Sequence, residues 1–157
     1  MTGMDANTAS ENKALIRRWF QEVWNEGLED RIDELRAPDT VARGLGEGSS
    51  ESRGSEPFKA FFANLRSAFP DLRVEIEDIL AEGDRVAVRI VMEGTHCGDA
   101  MGVQATGRPV RFTGISMARI AGGKIVESWN NLDQLGLLVQ IGAIPENRGS
   151  DRFLVRP

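Results

Sequence analysis

Along the chain the apolar residues fall first at helical spacing and then at strand spacing, and the change happens once, near residue 72. Thr8-Ala9-Ser10-Glu11 has the form of a capping box, and Leu15, Ile16, Trp19, Phe20, Val23 and Trp24 follow at helical intervals, with Gly27 as the stop. A shorter helix is predicted from Leu28 to Arg36 on Leu28, Ile32 and Leu35, ended by Ala37-Pro38. Asp39 to Leu45 reads as a short strand, and Gly44 to Gly54 as a Gly/Ser-rich surface loop without phosphate-cradling spacing. Ser55-Glu56-Pro57 opens a third helix with Ser55 as N-cap, whose apolar stripe is Phe58, Phe61, Phe62, Leu65 and Phe69.

From Leu72 the period is two. Val74 and Ile76 alternate with acids and arginine, Glu82-Gly83-Asp84 turns, and Val86, Val88, Ile90 and Met92 continue the alternation. After a loop at 98–109 come a strand from Val110 to Ala121, the turn Gly122-Gly123, a strand from Lys124 to Asp133 and a last short helix from Gln134. Helices first and long antiparallel strands second make the fold class α+β, with the N-terminal helices packed on one face of a curved, mostly antiparallel sheet. The organisation expected is a disordered N-terminus over 1–9, one domain over 10–142 and a tail over 143–157.

The last strand is unusually polar. Strict alternation puts Glu127, Trp129, Asn131 and Asp133 on one side, a row of polar groups with an aromatic wall that reads as the lining of a small-molecule pocket. With Gly122-Gly123 as a two-residue hairpin tip, Ser116 lies opposite Trp129 and Gly114 opposite Asn131. Those small residues leave open volume. On the other face Ile115, Met117 and Val126 have no helix to cover them, so a homodimer through the sheet face is expected.

Composition narrows the chemistry. A net charge of -5 and a pI near 5.0 leave no basic footprint for nucleic acid. No apolar run approaches the ~18 residues of a membrane span, and the N-terminus lacks a signal-peptide core, so a cytoplasmic protein is expected. One cysteine (Cys97) and one histidine (His96) give no internal disulfide and leave a zinc site short of ligands. No metal and no cofactor are expected; the partner is a hydrophobic small molecule.

Asp133 is the candidate general acid/base, since an apolar surround raises a carboxyl pKa towards useful values; as the residue before a helix it is equally an N-cap. Glu127 is a second carboxylate, or half of an ion pair with Arg119 or Arg89. His96 shares parity with Val88, Ile90 and Met92 and points inward, as a catalyst or a hydrogen-bonded structural residue. Trp129 is a stacking wall or core, and Asn131 an oxyanion donor or a strand-end partner. Cys97 faces away from His96, so the two do not form a nucleophile–base pair.

Several stretches carry a resemblance. Asn12-Lys13 through Trp24-Asn25, Phe69-Pro70-Asp71-Leu72, Ala81 to Val86, Gly94-Thr95-His96, Phe112-Thr113-Gly114, and Gly123 to Glu127 with Trp129, Asp133 and Leu135-Gly136-Leu137-Leu138 resemble SnoaL-like polyketide cyclases of the nuclear-transport-factor-2-like superfamily. The resemblance implies a cone-shaped α+β barrel with a pocket between helices and curved sheet, and usually a dimer. It implies cofactor-independent intramolecular aldol ring closure of a polyketide ester, with an aspartate as general acid/base and His96 brought in by its Gly-x-His motif. Relatives perform hydroxylation, epoxide opening or pyran formation, and a non-catalytic binder on the same cone is the alternative outside enzymology. Where resembling sequences carry a histidine on the first strand, this chain has Arg43, a permanent cation suited to holding a carboxylate or carbonyl.

Overall fold

The computed structural model describes residues 3–45, 51–99 and 102–146. Helix α1 (Gly3–Arg18) runs without a break into a π-helical segment (Trp19–Asn25). Trp19, Phe20, Val23 and Trp24 are all buried on that segment, so the widened turn turns one aromatic face inward. The helical run ends before Gly27, whose backbone N–H donates to the Val23 carbonyl at 3.0 Å. The start differs from expectation: the helix begins at Gly3, upstream of the Thr8–Glu11 box, so most of the segment expected to be disordered is helical.

Helix α2 (Asp30–Leu35) is shorter than its apolar pattern suggested, because Arg36 already has extended backbone and opens strand β1 (Arg36–Arg43). Pro38 therefore sits inside a strand. It is tolerated there because the pairing of β1 with its neighbour is interrupted between Arg36 and Val41. The predicted Gly/Ser-rich loop contains a three-residue strand, β2 (Glu51–Arg53), paired antiparallel with the end of β1. In α3 (Ser55–Ala68) Gly54 is the N-cap and Ser55 is already helical, one residue off expectation. Phe58 and Phe62 are buried and stack at 6.0 Å, each contributing about 2–3 kcal/mol of apolar burial.

Strands β3 (Arg73–Glu82), β4 (Arg85–Thr95), β5 (Pro109–Ala121) and β6 (Lys124–Leu132) form an antiparallel meander, and the helix α4 (Gln134–Gln140) follows β6. The sheet order is β2-β1-β6-β5-β4-β3, with β1 parallel to β6 and every other pair antiparallel. Val86, Val88, Ile90, Met92, Phe112, Ala118 and Ile120 point from this sheet into one core with the aromatic residues of the helices. The expected α+β class, with helices on a curved sheet, is the one observed. Residues 147–157, most of the expected tail, lie outside the described residues.

The hairpin of β5 and β6 turns on Gly122 and Gly123, both at positive φ (57° and 72°), as a two-residue turn of this hand requires. Ile120 pairs with Ile125 as expected. The next pair is Arg119 with Glu127, so Val126 is an extra residue, a β-bulge. Beyond it every partner is moved by one: Ala118 faces Ser128, Met117 faces Trp129, Ser116 faces Asn130 and Ile115 faces Asn131. A one-residue shift exchanges the two faces of a strand. The row expected in the pocket is therefore on the outer surface of the sheet, and its neighbours are inside.

Candidate functional site

Between the helices and the inner face of the sheet lies a largely enclosed cavity with about 40 Å³ of free space. Trp19, Phe20 and Trp24 of the π-helical segment and Phe58 of α3 form its helical wall; Val86, Val88, Ile90, Met92 and Ala118 form its sheet wall. Four polar residues interrupt this apolar surface: Ser116, Ser128, Asn130 and Arg36. Among the described lining residues there is no carboxylate and no imidazole.

Ser116, Ser128 and Asn130 are brought together by the bulge at Val126. The Ser116 hydroxyl donates to Asn130 Oδ1 at 2.6 Å, and Asn130 Nδ2 donates to the Arg43 carbonyl at 2.9 Å and, more distantly, to Ser128 Oγ at 3.4 Å. The amide is thus held in one orientation from both ends. Its position also depends on Gly44, at φ +78°, where an added Cβ would lie 2.0 Å from the Asn130 carbonyl oxygen.

Arg36, the first residue of β1, also reaches the cavity, opposite Ile125 of β6. The residue is 2% exposed, its guanidinium carbon lies 4.5 Å from the Phe58 ring centroid and 5.8 Å from that of Trp19, and neither terminal nitrogen has a hydrogen-bond partner among the described residues. Burial pushes its pKa down to about 10, only partly opposed by Asp33. It therefore stays charged at neutral pH. A shift of that size corresponds to roughly 3 kcal/mol against the charged form. Asp33 does not compensate it fully, because its carboxylate is held by Lys59 at 2.7 Å. The buried indole nitrogen of Trp24 is likewise without a partner among the described residues.

The sequence-derived site residues divide sharply. Ser116 lines the cavity as expected. Asp133 does not reach it: the residue is exposed and its Oδ1 accepts from the Gly136 backbone N–H at 2.9 Å, the N-cap of α4. Glu127 lies on the outer face, bonded to Arg119 at 2.8 Å and 3.6 Å from Arg43, and these cations, Arg119 foremost, hold its carboxyl below the usual range. Arg43 is occupied by Glu51 at 3.1 Å and packs over the Trp129 ring at 5.3 Å. With Asn131, these two line an open outer cleft instead of the enclosed cavity.

His96 is fully buried but lies outside the cavity lining. Its Nδ1 accepts from the Thr106 backbone N–H at 3.3 Å and sits 3.0 Å from the Thr106 hydroxyl, while its ring packs on Phe69 at 5.5 Å. Its backbone exchanges bonds with Arg108 and Gly107, so the residue organises the loop between β4 and β5. Sequence reasoning missed Asn130, Ser128 and Arg36. The signal for Arg36 was present: an arginine directly after the apolar Leu35, at the point where helix gives way to strand.

Three comparisons bear on what this cavity belongs to. A family model described as SnoaL-like polyketide cyclase matches residues 14–141. The chain is 35% identical over 132 residues to the aklanonic acid methyl ester cyclase DauD of Streptomyces sp. strain C5, covering 82% of this chain and 80% of that one. It is 31% identical over 134 residues to the aklanonic acid methyl ester cyclase AcmA of Streptomyces galilaeus, covering 85% and 92%. Among solved structures, AclR of Streptomyces galilaeus, a candidate hydroxylase, superposes with a TM-score of 0.79 at 34% identity, covering 88% of this chain and 85% of that one.

Proposed function

Because the chain belongs to the SnoaL-like polyketide cyclase family of enzymes, we propose that it closes a ring in a hydrophobic, polyketide-like carbonyl compound by intramolecular aldol addition, without a cofactor. The observation that carries this reading is the enclosed apolar cavity with the Ser116–Asn130–Ser128 cluster on its sheet wall. A flat carbonyl substrate stacks against Trp19, Phe20, Trp24 and Phe58, and a carbonyl oxygen takes a hydrogen bond from the Ser128 hydroxyl, whose oxygen accepts from Asn130 while the Ser116 proton is already given to Asn130. A C–H between two carbonyls is acidic enough to give its proton to solvent before the substrate is sealed in. The carbon of the resulting enolate adds to an internal ketone, and the alkoxide that forms takes a proton back from water. Preorganised donors and a water-poor surround favour the charge as it develops.

This reading replaces a carboxylate base with electrostatic stabilisation, since Asp133 caps α4 and His96 is built into a loop. About 40 Å³ of free space is far less than a fused-ring substrate fills, so binding requires the cavity wall to yield. The test is incubation with aklanonic acid methyl ester, the compound in the relatives' names, with products followed by mass and absorbance. Ring closure leaves the mass unchanged and alters the spectrum; a gained oxygen atom establishes hydroxylation, the activity suggested by the likeness to AclR. Binding without any product establishes a carrier.

The same proposal includes a homodimer through the outer sheet face. Ile115 is 57% exposed there, beside Met117 and Trp129, and no element of the described chain covers it.

A further inference from the structure

Where strand β1 meets the helical wall, the cavity carries donors with nothing to donate to among the described residues. Arg36 is 2% exposed and both its terminal nitrogens are unpartnered among the described residues; the buried Trp24 indole N–H is unpartnered as well. Both residues line the cavity, and both pack around Phe58, with Arg36 Cζ at 4.5 Å and the Trp24 ring at 6.1 Å from its centroid. A guanidinium and an indole can only donate, so water or a ligand must bring the acceptors. A buried cation without a counter-ion is strongly disfavoured, and a protein retains one where a ligand supplies the missing charge. On the sheet wall, by contrast, Ser116 and Asn130 already satisfy each other.

We propose that the cavity takes its substrate as an oxygen anion, a carboxylate or an enolate, seated on the Arg36 guanidinium with the Trp24 indole N–H as a second donor. The proposal rests on the reading of this cavity as the substrate site and sharpens it: the anionic end lies at Arg36 beside Trp19 and Phe58, and the neutral carbonyl against Ser128. A planar oxyanion matches the guanidinium fork, which a single ammonium does not.

Binding to inert probes tests this apart from turnover. Tryptophan fluorescence and calorimetry at neutral pH, in a buffer free of carboxylates, compare 2-naphthoate with its methyl ester, and 4-hydroxycoumarin, an enolate at that pH, with 4-methoxycoumarin. Each anion is expected to bind about tenfold or more tightly than its neutral partner. Arg36→Met is expected to remove that preference, Arg36→Lys to restore part of it, and Trp24→Phe to weaken it a few-fold. The melting temperature of Arg36→Met is expected to hold or rise, because an uncompensated charge leaves the interior. Preference for 2-naphthoate alone assigns a carboxylate, and for 4-hydroxycoumarin alone an enolate. Equal binding of anions and neutral partners, or a preference that survives Arg36→Met, overturns the proposal. If the anions bind as expected and the methyl ester substrate is not converted, the cyclase reading fails and the anion site stands.

Discussion

Asp133 separates the two accounts of this molecule most cleanly, because its visible role has a known size. Its carboxylate caps α4 through the Gly136 N–H at 2.9 Å, and its own backbone N–H is held by the Thr113 carbonyl at 3.0 Å. Replacing a capping Asp by Ala costs about 1 kcal/mol, whereas Asn, an equally good cap, costs a few tenths at most. In a chain of this length that is a fall in melting temperature of about 2–4 °C for Asp133→Ala and under about 1 °C for Asp133→Asn. Neither change touches the cavity, so kcat/KM measured well below the melting temperature is expected to stay within about twofold of the parent for both. Loss of a general acid/base would instead lower the rate by about 10²–10⁴-fold. The assay is a melt by differential scanning calorimetry beside initial rates of ring closure. An Asp133→Asn variant with an unchanged melt and a hundredfold slower reaction would refute the placement of this residue outside the chemistry.

Four further outcomes follow from the geometry. Asn130→Leu leaves the Ser116 hydroxyl and the Arg43 carbonyl without their partners, so urea unfolding is expected to show a loss of about 2–3 kcal/mol, together with loss of ring closure. Gly44→Ala meets both a positive φ and a backbone oxygen 2.0 Å from the new Cβ, and is expected to destabilise by at least about 2 kcal/mol in the same assay. Glu127 has its carboxyl depressed chiefly by the hydrogen bond from Arg119, so its contribution is present above the unfolded carboxylate range and is lost as pH falls through the lower folded value. Glu127→Gln is therefore expected to flatten the acid side of a stability-against-pH profile, and an unchanged profile would show the pair contributes nothing. Ile115→Glu is expected to convert a species of twice the chain mass into one of single mass by light scattering, with ring-closure activity unaffected per folded chain.

Most of the architecture was legible because it rests on periodicity. The single change from helical to alternating spacing located the helical and sheet layers, and Phe58, Phe62, Val86, Val88 and Ile90 are buried where that spacing put them. The site was less legible because it depends on one residue of register. Val126 carries no mark that distinguishes a bulge from a regular β position, yet its insertion turns Glu127, Trp129 and Asn131 outward and Ser128 and Asn130 inward. The face assigned to Ser116 was right because it belongs to β5, the strand without the extra residue. Asp133 illustrates a different limit. Its two readings, acid and cap, make the same demand on sequence, a carboxylate just before a helix, and only its exposure and its bond to Gly136 decide between them.

Everything functional here depends on substrate entering the enclosed cavity and not resting in the outer cleft beside Arg43, Trp129 and Asn131. A crystal structure of the protein with its ring-closed product bound measures this directly. The product is expected between Trp24, Phe58 and the inner sheet face, with one oxygen within hydrogen-bond distance of Ser128 and the carbonyl oxygen that had been the enolate's on Arg36. Product found in the outer cleft, with the cavity still closed, would contradict it.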